Sequence, residues 1–407
     1  MIEDGRATLP SILQDEGYAT AMIGKWHLGM QFPGDRNDRD WAKPVTDMPL
    51  DKGFGYFYGI PASLNYGVLA WFEGRHAKVP PTLYTAKKPN GVAINDYRIM
   101  PPYKSGLKEL NLPDDQGNVR GPLEIAPDFV DNECLTRFTD KTLQWLEQRD
   151  EEKPFFLYLP YTSPHKPVIP TKRFLGKSQA GAYGDFMMET DWHIGRVLEY
   201  LDEHDLAQNT LVIFSSDNGP ETTWRARQKK FNHDSNGVYR EGKRSIYEGG
   251  HRVPLFVRWP AGVAAGSTWE KPICQTDLIA TVAELMDIKL AKDAAEDSVS
   301  FLPALMGTGG ETQRLPLIHH DVAGRFAIRD GDWKLVMETA SGKKKRELYY
   351  MADDPAETAN VLADHPEVAK RLLIELTRIV RSGATDPEKQ SENDTGWWNH
   401  LVWIERW

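Results

Sequence analysis

The 407-residue sequence predicts an α/β fold: a mostly parallel sheet with helices on both faces, then a small C-terminal antiparallel sheet with a helix. Three observations carry this. Amphipathic helical stretches alternate with apolar strands. PFFLYLPY (154–161) and LVIFSS (211–216) are continuous apolar runs, as strands covered on both faces require. Near 308–314 (GTGGETQ) the texture changes, and short strands replace the helix–strand rhythm. The chain divides accordingly into an α/β domain over 1–310 and a C-terminal subdomain over 311–407.

The elements follow in order. Thr8 caps a short helix whose stripe is Leu9, Ile12 and Leu13, and Gly17 ends it. YATAMIGKWHLG then runs as an apolar strand into Gly24, Lys25, Trp26 and His27. Residues 31–130 are rich in Pro, Gly, Asn and Asp and read as long irregular surface, with GFGYFYGIPASLNYG (53–67) its most aromatic part. Leu135, Phe138, Thr142, Trp145 and Leu146 mark a helix, and PFFLYLPY follows as a strand with His165 four residues beyond it. A second helix covers about 183–203 and leads into LVIFSSDNGP, with Asp217 and Asn218 just past the strand. LFVRWP (255–260) is a further strand and 276–287 a further helix. Beyond the texture change, LPLIHHD, GRFAIRD, DWKLVME and RELYYM read as an antiparallel meander, with a solvated basic turn at Lys343–Arg346. Residues 366–381 form an amphipathic helix on Val368, Leu372, Leu376 and Ile379, and the tail WWNHLVWIERW is rich in Trp.

Composition narrows the function. Hydrophobic residues make up 40% and charged residues 27%, which supports a sizeable core. A net charge of −10 argues against a nucleic-acid partner, although one local pocket can still be positive. Two cysteines, Cys134 and Cys274, exclude a disulfide scaffold and a Cys-rich metal site. No run approaches the ~20 apolar residues of a membrane span, and MIEDGRATLP has no signal-peptide pattern.

In parallel sheets, ligands bind beyond the carboxyl ends of the strands. Lys25/His27, His165 and Asp217/Asn218 all fall at such ends. Asp217-Asn218 supplies hard oxygens suited to Ca²⁺ or Mg²⁺, although Asp-Asn-Gly is also ordinary turn chemistry. Lys25 and His27, two apart on extended backbone, share a face and suit an anion whose leaving oxygen needs a proton; a surface Lys beside a packed His reads equally well. His165 lies between Pro164 and Pro167, which stiffen its loop. Gly242-Lys243-Arg244 and Tyr247-Glu248-Gly249-Gly250-His251-Arg252 join basic side chains to glycines that allow close backbone approach. Together the four clusters propose one pocket for a tetrahedral oxyanion ester.

The same residues carry a family resemblance. GYATAMIGKWHLG, PFFLYLPYTSPHKP, LVIFSSDNGP, GKRSIYEGGHRVP, GDWKLV and LYYMADDPAETANVL, in this order, resemble a type I sulfatase of the alkaline-phosphatase superfamily. GFGYFYGIPASLNYG resembles arylsulfatases and polysaccharide sulfatases. The resemblance implies a sulfuric ester hydrolase acting on a sulfated carbohydrate or aryl sulfate. Lys25 and His27 would bind the sulfate and the nucleophile, with His27 the base that collapses the intermediate. His165 and Lys243 would bind sulfate and protonate the leaving alcohol, and His251 would join them in binding substrate. Asp217 and Asn218 would hold a Ca²⁺ acting as a Lewis acid. Periplasmic or secreted placement is expected for the complete family member.

The resemblance also implies paired metal-binding aspartates and a Cys-x-Pro/Ala-Ser-Arg segment upstream of GKWH, whose cysteine becomes the formylglycine nucleophile. The 24 residues before Lys25 contain neither, and neither CLTRF at Cys134 nor PICQT at Cys274 substitutes. The calcium site is therefore half complete and the chain is expected to be inactive alone. A fragment of a longer protein is favoured over a pseudo-enzyme, because both lysines and both histidines are kept. Two alternatives stand beside the sulfatase: a non-catalytic binder of sulfated glycans, with terminal tryptophans stacking on sugars, and a related phosphodiesterase or phosphonate hydrolase.

Overall fold

The computed structural model describes residues 2–35, 38–86, 108–109, 122–308, 314–339, 341–342, 345–389, 391 and 397–404. Contacts divide the chain into two compact units: residues 1–205 with 229–232, and residues 206–228 with 233–407. The division falls well before the change of texture near 308–314.

In the first unit, α1 (Leu9–Asp15) begins at Thr8, whose hydroxyl accepts the Ser11 N–H while Ser11 returns the bond to the Thr8 N–H. Gly17 follows with positive φ, and β1 (Ala19–Lys25) runs through the core with Thr20 to Gly24 all buried. Burial of consecutive residues means both faces of β1 are covered. A small ribbon, β2 (Gly34–Asp35) and β3 (Asp38–Arg39), precedes β4 (Tyr56–Ile60).

The aromatic segment read as surface contains β4, one of the most buried strands of the molecule: Phe57, Tyr58, Gly59 and Ile60 are all covered. The chain continues through β5 (Val68–Leu69), β6 (Phe72–Glu73), β7 (His76–Ala77), β8 (Leu83–Ala86), β9 (Lys108–Glu109) and β10 (Pro122–Ile125). α2 (Cys134–Gln148) then leads to β11 (Phe155–Tyr158), and α3 (Gly181–Glu203) closes the unit.

The main sheet has the order β11-β1-β4-β6-β7. β11, β1 and β4 are parallel, while β6 and β7 add antiparallel, so the largely parallel sheet is mixed at one side. A second sheet has the order β5-β10-β8-β9. The core joins Met22, Ile23, Phe57, Ile60, Trp71 and Phe72 to Leu135 and Phe138 of α2 and Phe186 of α3. PFFLYLPY differs from its reading: β11 is an edge strand among the described residues, half-buried, with Tyr158 47% exposed.

In the second unit, β12 (Val212–Ser215) precedes α4 (Trp224–Phe231), whose residues from 229 onward group with the first unit, and α5 (Glu248–His251). β12 pairs with β13 (Leu255–Arg258) antiparallel as a separate two-stranded sheet. Next come α6 (Leu278–Leu285) and α7 (Leu302–Leu305). Then β14 (Leu317–His320), β15 (Phe326–Asp330), β16 (Trp333–Val336) and β17 (Glu347–Tyr350) form the expected meander, paired in sequence order. α8 (Pro366–Ser382) ends on Gly383 in the left-handed conformation.

The meander separates two apolar clusters. On one face Ile328, Leu335 and Leu348 pack with Leu372, Leu376 and Ile379 of α8; on the other Ala327, Val336 and Tyr349 pack with Ile246 and Tyr247. Trp397 and Trp403 pack on the α8 cluster, so these tail tryptophans serve the core. Trp407, Lys343 and Lys344 lie outside the described residues.

Candidate functional site

The first unit carries Lys25, His27 and His165 at one end of its sheet. β1 and β11 are parallel neighbours, so the residues following each emerge on the same side. The Lys25 N–H donates to Pro160 O at 2.9 Å, tying the two strand ends together. Only glycine fits at Gly24: its φ is +146°, and a Cβ there would lie 2.3 Å from Pro160 O. Lys25 is half-buried at the sheet end. His27 is exposed with φ +66°, so the chain turns there and its ring leaves the strand's alternation. Its Nδ1 lies 3.3 Å from Ser63 Oγ, and its ring is 5.5 Å from that of Tyr66. Both partners belong to the ASLNYG stretch and escaped the sequence reading, because nothing in a Ser or Tyr of a loop announces a histidine partner.

His165 sits in a tight loop. Its N–H donates to Thr162 O at 3.1 Å, and both flanking X–Pro bonds, Ser163–Pro164 and Lys166–Pro167, are cis. Nδ1 lies 2.6 Å from Lys166 O. A carbonyl only accepts, so Nδ1 holds the proton and Nε2 faces outward from that bond. α3 braces the loop: Thr190 Oγ1 lies 2.6 Å from Ser163 Oγ, and the Glu189 carboxylate accepts the Thr171 N–H at 2.8 Å.

The second unit carries Asp217, Asn218, Lys243 and His251. Asp217 is exposed just beyond β12, and the Asn218 amide donates to its carboxylate. Three backbone segments interlock there. Gly219 N–H donates to Gly250 O at 3.1 Å, and Lys243 N–H donates to Pro220 O at 2.9 Å. A Cβ on Gly219 would lie 1.7 Å from Gly249 O, so the chains approach at a distance no side chain allows. Asp217-Asn218 and Lys243 are thus held by one main-chain assembly.

His251 packs on His319 with ring centroids 4.3 Å apart, and its Nε2 is buried without a hydrogen bond among the described residues. Burial, then the nearby Lys334 charge, pushes it down to about 4. At neutral pH it is an uncharged ring.

The calcium reading meets a shortfall. Ca²⁺ takes six to eight oxygen ligands. Asp217 and Asn218 supply the right kind of donor, but among the described residues no group of three or more His, Cys, Asp or Glu gathers to hold a metal. The described set does not fit a complete cation site, and no step is derived through one. Cys134 offers no activated nucleophile. Cys134 is buried at the start of α2, and burial, then the Asp131 charge, pushes its thiol well up. Cys274 donates its N–H to Asp277 at a turn.

Loops carrying Lys25, His27 and His165 beyond parallel strands agree with the class that the comparisons establish, a type I sulfatase of the alkaline-phosphatase superfamily. A family model described as Sulfatase matches residues 2–288, and one described as N-sulphoglucosamine sulphohydrolase, C-terminal, matches residues 237–382. The chain belongs to the sulfatase family. It is 30% identical over 404 residues to the N-acetylgalactosamine-6-O-sulfatase of Bacteroides thetaiotaomicron, covering 91% of this chain and 76% of that enzyme. It is 32% identical over 350 residues to human steryl-sulfatase, covering 79% of this chain and 58% of that one, so it spans little more than half of this mammalian relative. A solved sulfatase from work on glycosaminoglycan metabolism by Bacteroides thetaiotaomicron superposes with a TM-score of 0.77 at 28% identity, covering 93% of this chain and 82% of that one. Among the described residues, no helix is long and apolar enough to cross a membrane.

Proposed function

We propose that this chain recognises a sulfate ester on a carbohydrate, with a 6-O-sulfated N-acetylhexosamine as the preferred unit, and carries the binding and proton-transfer groups of a sulfuric ester hydrolase. The observation that carries the reading is the joint presentation of Lys25, His27 and His165 beyond two adjacent parallel strands. The bacterial relative named for N-acetylgalactosamine 6-sulfate, aligned over most of the chain, supports the sugar.

The chemistry follows from the residue types. Lys25 offers three donors to the sulfate oxygens and offsets their charge. His165, its Nδ1 proton committed to Lys166 O, donates to a leaving oxygen from Nε2 only as the imidazolium. His27 is the base candidate, its ring oriented by Ser63. The 407 residues hold no Cys-x-Pro/Ala-Ser-Arg segment, so we further propose that the chain by itself binds the ester without releasing sulfate.

Calorimetry with N-acetylgalactosamine 6-sulfate and with an aryl phosphate, alongside a sulfate-release assay, tests this. The sulfated sugar is expected to bind, and Lys25→Ala to weaken it about tenfold or more, the scale of one charge-assisted hydrogen bond. Equal or tighter binding of the aryl phosphate would move the reading to a phosphate-ester hydrolase. Sulfate release would overturn the inactivity.

A further inference from the structure

Lys334 is the feature that the proposed chemistry leaves unused. It lies on β16, wholly buried, in a segment (DWKLV) that otherwise reads as an ordinary strand. Alternation along β16 puts Trp333 and Leu335 on the α8 face and Lys334 with Val336 on the face packed by Ile246 and Tyr247. Its Nζ lies 3.0 Å from Glu248 Oε1 and 2.8 Å from Glu357 Oε1, the latter an ion pair rather than an aligned hydrogen bond. Glu248 is 4% exposed and Glu357 0%.

A buried lysine is strongly disfavoured unless paired, and so are two buried carboxylates. Here each neutralises the other, and Arg329 adds a second cation on Glu248 at 2.9 Å. The cluster is also a mechanical joint. Glu357 accepts the Glu248 N–H at 2.6 Å, and its own carbonyl accepts from Arg240 at 2.9 Å. Both ends of the Arg240–Glu248 loop, which carries Lys243, are therefore fastened to Glu357. From Glu248 the joint reaches Gly249 and Gly250, whose carbonyls press on and bond Gly219, the residue after Asp217-Asn218.

We propose that Lys334 is a positioning residue: by neutralising Glu248 and Glu357 it clamps the Arg240–His251 loop, and through the Gly219–Gly250 contact it fixes Asp217-Asn218 and Lys243. Arg240 and Arg329 tighten the same clamp from the loop and from β15. The functional meaning of those three residues rests on the sulfatase reading; the clamp itself does not.

Amide hydrogen exchange of the intact 407-residue chain tests it without a substrate. Lys334→Met is expected to raise exchange of the Gly219 and Lys243 amides at least tenfold while Leu335 and Ile328 change less than threefold. Lys334→Gln, which keeps a donor toward one carboxylate on a side chain one atom shorter, covers the case in which the methionine variant does not fold, and is expected to show the same pattern. The double variant Lys334→Gln with Glu357→Gln, which leaves no uncompensated carboxylate and keeps an acceptor for the Glu248 N–H, is expected to return both amides to within threefold of the parent. Wild-type exchange at Gly219 and Lys243 in a folded Lys334→Met or Lys334→Gln single variant overturns the proposal. So does an equal rise across the meander, which is what a general loss of stability produces. Loss of sulfate-ester binding elsewhere would leave these outcomes unchanged, so failure of the functional reading is distinguishable from failure of the clamp.

Discussion

His251 ties stability to pH through its burial. An imidazole held at about 4 in the folded chain and near 6.5 in the unfolded one takes up its proton first in the unfolded state as the pH falls. Its contribution is complete above pH 6.5 and is lost as the pH drops toward 4. His319 adds in the same direction, lowered by burial and then by Lys334 and His251, while Glu248 acts against the shift on His251. His193 in the first unit, also brought to about 4 by burial, makes the trend general. The melting temperature is therefore expected to fall from pH 7 to pH 5. His251→Gln is expected to flatten that fall by on the order of 1–3 kcal/mol of pH-dependent stability. A slope unchanged in His251→Gln would place the titration elsewhere.

Among the elements, β1 shows how closely the site and the sheet are built together. Gly24→Ala puts a methyl into the Pro160 carbonyl and a side chain on a φ that favours glycine. It is expected to cost about 2–4 kcal/mol in urea unfolding and to loosen the Lys25–Pro160 bond; a neutral substitution would show that the two strand ends are not rigidly joined. The legibility of the elements follows the same physics. The meander was readable because each strand has one face on α8 and turns rich in Gly and Asp between them. β4 was not: YFYGI carries aromatics and a glycine inside a Pro- and Gly-rich stretch, and burial on both faces removes the alternation that marks a strand. PFFLYLPY misled in the opposite sense, since its composition promises a covered strand and β11 lies at an edge among the described residues. At the site, motif residues could be named because Lys, His and Asp at strand ends are chemically distinctive. Lys334 could not, because its partners Glu248 and Glu357 are brought to it only by tertiary folding.

For the whole molecule, the exposed apolar strands set the solution behaviour. β13 pairs only with β12 among the described residues, and Phe256, 65% exposed, lies 6.0 Å from the Phe214 ring. Leu255 and Tyr158 add apolar surface on the edge-type strands β13 and β11. Unpaired, apolar strands of this kind invite chain-to-chain pairing, although a net charge of −10 opposes it at low salt. Phe256→Lys is expected to lower light scattering at rising protein and salt concentration, with stability changed by no more than about 0.5 kcal/mol. Scattering equal to the parent would show that association starts at another surface.

The joint around Glu357 has a consequence for biosynthesis. Glu248 and Glu357 are 109 residues apart, so the latch is made long after the loop it holds. At ribosomal rates of about 5–20 residues per second, the Arg240–His251 loop waits roughly 5–20 seconds for its anchor. During that interval Glu248 lacks its Lys334, Arg329 and Glu357 partners, and Arg240 lacks the Glu357 carbonyl. A messenger cut short before codon 357 would yield a product that carries Asp217, Asn218 and Lys243 without the Glu357 latch on the loop beside them.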